Sequence, residues 1–148
     1  MSNKYFWTGL FLALLFGACT QKQTGDVDKI RASYLEHRPG SEKEFEQFRK
    51  IVIVRENGGS CMNCNDMFAR HMADSIDNPQ ILFIVSAMGN KMDISAYIGR
   101  ERKNVIWDNL LKFDKLNISE TCAVIDLSQN NRKTEYSVDN IGVLIQGR

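Results

Sequence analysis

Two short stretches of this chain carry no polar side chain: Ile51-Val52-Ile53-Val54 and Ile81-Leu82-Phe83-Ile84-Val85. A strand with one face in water alternates apolar and polar residues. An unbroken apolar run of this length instead marks a strand buried on both faces. Between the two runs lies Cys61-Met62-Asn63-Cys64, reached from the first across Asn57-Gly58-Gly59-Ser60. Cys64, Phe68, Met72 and Ile76 then recur at helical spacing, and Asp77-Asn78-Pro79 stops the pattern. The cysteine pair therefore falls on a strand–loop–helix junction. A helix N-terminus carries partial positive charge and free N–H groups, and both favour a thiolate there.

The remaining segments extend this alternation. Residues 27–37 are expected to form a short helix with Ile30, Tyr34 and Leu35 on one side, broken at Arg38-Pro39-Gly40. Ser41 and Glu44 have capping-box spacing before a turn carrying Phe45 and Phe48. Residues 93–102 read as helical, with Ile94, Tyr97 and Ile98 inward, and Val105-Ile106-Trp107 as a short strand. Residues 110–116 fit no single element. The stretches 123–127 and 134–138 flank Gln129-Asn130-Asn131 and suggest a β-hairpin. An apolar stretch, 141–145, follows. Strands alternating with helices, then a late hairpin, give an α/β sandwich around a central mixed sheet.

The first residues read as an export signal. Lys4 precedes an apolar stretch, and Phe16-Gly17-Ala18-Cys19 supplies small residues before a cysteine. This resembles a bacterial lipoprotein signal, with Phe16 where leucine is usual. The resemblance implies removal of residues 1–18 and lipidation of Cys19. The apolar run is short for a transmembrane anchor. The division expected is signal peptide 1–18, lipidated cysteine, tether and short helix 19–40, and one domain 41–148. The formal charge of the whole chain is +1, and loss of Lys4 brings it close to zero. Neither a nucleic acid nor a broadly anionic surface is expected as partner. Export places the protein where disulfides persist. With Cys19 lipidated, Cys61, Cys64 and Cys122 remain, an odd set that leaves one thiol over.

This order of parts resembles the thioredoxin fold, and most closely the thiol-disulfide oxidoreductases of the bacterial cell envelope and the redoxin group. The likeness runs from about Ser41 to Val138. Lys50 opens the strand that leads to Cys61, and Thr121-Cys122-Ala123-Val124-Ile125-Asp126 follows the family's late strand. Three departures stand out. Ser60 replaces an aromatic residue, Glu120 occupies the cis-proline slot, and the final helix is apparently missing. What the resemblance implies is a membrane-anchored protein of the cell envelope, facing the periplasm or exterior. Thr20 after the lipidated cysteine points to the outer rather than the inner membrane. The activity implied is thiol–disulfide exchange on protein thiols or disulfides, together with a redox partner, and with no cofactor or resident metal.

In that scheme Cys61 is the attacking thiol and Cys64 the resolving one. Glu120, Thr121 and Cys122 are candidate modulators. A carboxylate at 120 would take a proton from Cys64 or repel its thiolate, or else lie solvated. Cys122 is either a third redox thiol or a buried apolar filler. His71 lies nearly two turns from Cys64, too far along a helix to share one ion with the pair. Met62, Met67, Met72, Met88 and Met92 are expected near the pair and keep a module that handles copper or another metal through the same cysteines open as an alternative. A second alternative is a binding lipoprotein that kept the fold and lost turnover.

Overall fold

The computed structural model describes residues 25–59 and 61–146. The proposed signal, Cys19, the tether up to residue 24, and Ser60 lie outside the described residues. No helix among the described residues is long and apolar enough to cross a membrane. The elements in chain order are α1 (Gly25–His37), α2 (Glu42–Phe45), β1 (Lys50–Arg55), α3 (Met62–Ala73), β2 (Ile81–Ser86), α4 (Ser95–Ile98), β3 (Val105–Asp108), a 3₁₀ helix (Lys112–Leu116), β4 (Cys122–Asp126), a second 3₁₀ helix (Leu127–Gln129), β5 (Arg132–Tyr136) and α5 (Ile141–Gln146).

The five strands form one mixed sheet in the order β3-β2-β1-β4-β5. β1, β2 and β3 are parallel, with Lys50 opposite Ile81 and Phe83 opposite Val105. β4 runs antiparallel to β1, and β5 returns antiparallel to β4. The apolar runs are thus the two central parallel strands, and every residue of β2 is buried.

Alternation along each strand divides the core into two layers. Val52, Val54, Phe83 and Val85 face one side, packed with Phe68 and Ala69 of α3 and Tyr97 of α4. Ile51, Ile53, Leu82 and Ile84 face the other, packed with Ile30 and Tyr34 of α1, Phe45, Phe48 and Phe113. Cover on both faces explains why these runs lack polar residues. Ile30 and Tyr34 are fully buried, so α1 is an integral layer of the fold.

Several local expectations are corrected. The capping box does not form: Ser41 makes no side-chain cap bond, because its φ of −99° and ψ of 27° depart from the extended N-cap geometry. Glu44 instead accepts from the Tyr34 hydroxyl at 3.3 Å. The helix expected over 93–102 is reduced to Ser95–Ile98. The Asp93 carboxylate accepts from the Ser95 N–H at 3.0 Å and starts a turn there. β5 begins at Arg132, earlier than expected, because Asn130 and Asn131 reverse the chain with φ of 55° and 59°. The final helix is present, though only Ile141–Gln146. Ile141 is buried in the α3 layer, and Leu144 and Ile145 pack against it.

The loop after β2 is fixed by a buried carboxylate. Glu56 is 4% exposed and accepts from the Met88 N–H at 2.7 Å and the Lys91 N–H at 2.5 Å. Burial alone would raise its pKa, but backbone N–H groups of Lys91, Met88, Asn90 and Gly89 outweigh it and hold the carboxyl below its ordinary range. A lowered folded-state pKa stabilises above the unfolded value of 4.5 and is lost as pH falls through the folded value. Glu56→Gln mimics the protonated side chain. Above pH 5 the variant should be less stable by about 1–2 kcal/mol. Thermal melts of both proteins from pH 7 to pH 2.5 should converge at the acidic end.

Candidate active site

The cysteines sit where β1 hands over to α3, at the centre of the sheet. Gly58 in the connecting loop packs tightly against the segment before β4. A Cβ there would meet the Thr121 Cα at 3.2 Å, the Glu120 carbonyl oxygen at 3.3 Å and Asn65 Nδ2 at 3.4 Å. This close backbone approach favours glycine, since any Cβ would need the facing segment to give by a few tenths of an ångström. The Gly59 N–H donates to the Glu120 carbonyl at 2.7 Å and ties the two segments together.

Cys61 is the N-cap of α3. Its backbone is extended, and its Sγ accepts from the Cys64 N–H at 3.1 Å. The first turn of α3 holds no acidic residue, and Arg70 and His71 lie in its last turn. The basic residues complement the C-terminal end of the helix dipole, and the uncompensated N-terminal N–H groups are left to face the sulfur. Cys61 and Cys64 form a disulfide with Cα atoms 5.2 Å apart. Cys61 is exposed, whereas Cys64 is 4% exposed and belongs to the α3 core layer. One sulfur is accessible from solvent, and the other lies behind it.

The three proposed modulators all lie in the segment that faces this loop. The Glu120 side chain is exposed, and its carbonyl is held by Gly59. No cis peptide bond occurs among the described residues. Thr121 presents its Cα to Gly58, and its hydroxyl donates to the Cys122 carbonyl at 3.2 Å. Cys122 is fully buried. Its Sγ accepts from the Arg55 N–H at 3.3 Å, and its S–H faces the Arg55 carbonyl and Asn65 Oδ1, each at 3.6 Å. Burial pushes the Cys122 thiol up to about 12, against smaller opposing effects of the Arg55 N–H and guanidinium. At neutral pH this thiol is protonated.

Three further residues shape the site. Asn65, next to Cys64 and 2% exposed, contributes the one buried side-chain polar atom without a partner among the described residues, its Nδ2. It is visible in the sequence as a polar residue on the core-facing side of α3, between Cys64 and Phe68. Arg55 pairs with Asp114 at 3.0 Å, and its guanidinium also donates to the Ser119 carbonyl. Lys133 Nζ donates to the Ile118 carbonyl at 2.6 Å. The carbonyls of Ile118, Ser119 and Glu120 are therefore each anchored, and the segment opposite the cysteines is held along its length.

His71 lines a shallow cleft with Met67, Arg70 and Ile145. Among the described residues no group of three or more His, Cys, Asp or Glu side chains is arranged to hold a metal ion. Met62, Met67 and Met88 are exposed, at 57%, 43% and 51%, whereas Met92 is buried. Met72 is partly buried against the α3 core layer.

A protein-family scan, a search of curated proteins and a search of solved structures each returned no match for this chain.

Proposed function

We propose that this protein carries out thiol–disulfide exchange through Cys61 and Cys64 on protein substrates. The observation that carries the reading is an exposed N-cap cysteine, bonded to a buried cysteine one helical turn later. The helix begins without acidic residues, and the Cys61 Sγ accepts a backbone N–H. In the reducing direction the Cys61 thiolate attacks a substrate disulfide. The substrate S–S bond breaks, and one substrate sulfur leaves with the electron pair. Cys64 then loses its proton and attacks Cys61, releasing the second substrate thiolate and forming Cys61–Cys64. The substrate gains two electrons and the protein dithiol loses two; the reverse direction oxidises a substrate dithiol. No cofactor enters either direction.

The sheet order and the placement of the pair are compatible with a thioredoxin-like arrangement, and the envelope oxidoreductases are the resemblance that the reading extends. Lipidation at Cys19 would hold the domain at the surface of a membrane in the cell envelope.

The test is a redox titration of the full chain in non-ionic detergent, using dithiothreitol buffers, thiol alkylation and mass spectrometry. One two-electron transition confined to Cys61 and Cys64 is expected. Cys122 should take no label until the protein is unfolded, because a buried, protonated thiol is a poor nucleophile. If Cys61 and Cys64 never pair, or Cys122 pairs with either, the exchange mechanism fails. A metal-handling or non-catalytic binding role would then lead.

A further inference from the structure

A cleft of about 600 Å³ reaches Gly59, two residues before Cys61, and is lined by Arg55, Ser119, Glu120, Lys133 and Glu135 among others. Its charges are unevenly matched. Arg55 is already paired with Asp114. Lys133 is already paired with Asp26 at 3.1 Å and Glu135 at 3.4 Å. Each cation of the lining thus holds a carboxylate from outside it, Asp114 or Asp26. Glu120 forms no ion pair among the described residues. With those outside partners counted, the carboxylates Glu120, Glu135, Asp114 and Asp26 outnumber the cations Arg55 and Lys133, and Glu120 is the exposed carboxylate that no cation pairs among the described residues.

The backbone that carries that carboxylate is held in place. The Glu120 carbonyl is fixed to Gly59 at 2.7 Å, and the two preceding carbonyls are fixed to Lys133 and Arg55. The backbone that carries Glu120 therefore cannot drift from the loop that carries Cys61. We infer that Glu120 is a specificity determinant of the exchange site, selecting substrates whose target cysteine is flanked by lysine or arginine. A cationic flank would neutralise Glu120 and gain attraction at the surface of the cleft; an acidic flank would be repelled. The inference rests on the exchange reading and names its substrate class.

The experiment uses the reduced full chain in non-ionic detergent and two synthetic peptides, each a mixed disulfide with the same chromophoric thiol. The peptides differ only in lysine or glutamate on both sides of the cysteine. The Cys61 thiolate displaces the chromophoric thiolate, and Cys64 then releases the peptide thiolate, so absorbance reports the first step. Lysine flanks also alter intrinsic disulfide reactivity, so the quantity read is the lysine-to-glutamate rate ratio in each protein variant. At low ionic strength the wild-type ratio should exceed that of Glu120→Gln by about tenfold, and Glu120→Lys should favour the glutamate peptide. The gap should narrow at 0.5 M salt. Glu101→Gln, which removes a carboxylate in the turn leading into β3, should keep the wild-type ratio. Equal ratios in wild type and Glu120→Gln, with exchange intact, would overturn the inference alone. Absence of exchange with both peptides in every variant would overturn the exchange reading and the inference with it.

Discussion

Cys64→Ser is expected to turn the protein into a trap. Cys61 would still attack a substrate disulfide, but no thiol would lie behind it to release the product. The mixed disulfide should accumulate as a band that disappears on adding reductant. Resolution by a neighbouring thiol draws on the high effective concentration of an oriented intramolecular group, which reaches ~10⁵ M in favourable cases. Millimolar external thiol cannot match that, so turnover should fall by about three orders of magnitude or more. Cys61→Ser should behave differently. The remaining Cys64 is only 4% exposed, so no mixed disulfide should form. This asymmetry is the signature to measure, by non-reducing gels and single-turnover kinetics with a protein disulfide substrate. Trapping by Cys61→Ser instead would reverse the assigned roles. Sustained turnover in Cys64→Ser would make Cys122 the resolving thiol, despite its burial.

The parts of this site that the sequence exposes are those with local patterns. The strand before the pair is visible because cover on both faces removes polar residues from residues 51–54. The helix start is visible because Cys61, Cys64 and Phe68 keep helical spacing up to a clear stop at Asn78-Pro79. The supporting network has no such pattern. Arg55 meets Asp114 across 59 residues of chain, and Ser86 meets Asp108 and Asp114 across 22 and 28. No window of sequence contains both partners. The closing helix is hidden for another reason. Gly142 and a length of only six residues leave it weak propensity of its own, and it is held by docking Ile141, Leu144 and Ile145 on the α3 layer. In the opposite sense, residues 93–102 show a helical apolar pattern, but the helix starts only at Ser95, after the Asp93 turn, and stops at Gly99, so Ile94 and Tyr97 are buried while Ile98 is 40% exposed.

Arg55→Leu should cause the largest loss of stability among changes near the site. The Arg55 side chain is 14% exposed and Asp114 23% exposed, so this pair is much drier than a surface ion pair. Asp114 Oδ1 also receives the Ser86 hydroxyl at 3.0 Å. The same hydroxyl lies 3.3 Å from Asp108 Oδ2, which accepts the Phe113 N–H at 2.7 Å. Arg55 is thus the cation facing two carboxylates that approach one hydroxyl. Without it their repulsion and desolvation are uncompensated, and the expected cost is about 2–3 kcal/mol. For a domain of this size that corresponds to a fall in Tm of about 10 °C. Leucine keeps the backbone N–H and carbonyl that contact Cys122, so the effect isolates the guanidinium. The double variant Arg55→Leu/Asp114→Leu should recover much of the loss, because it removes a stranded charge along with its partner. A double variant no more stable than Arg55→Leu would locate the cost elsewhere, in the lost bond to the Ser119 carbonyl. That bond also anchors the segment carrying Glu120, so Arg55→Leu should weaken charge selection between the peptides even at temperatures where the protein remains folded. A variant that lost stability but kept the full lysine-to-glutamate ratio would separate the ion network from the site it underlies.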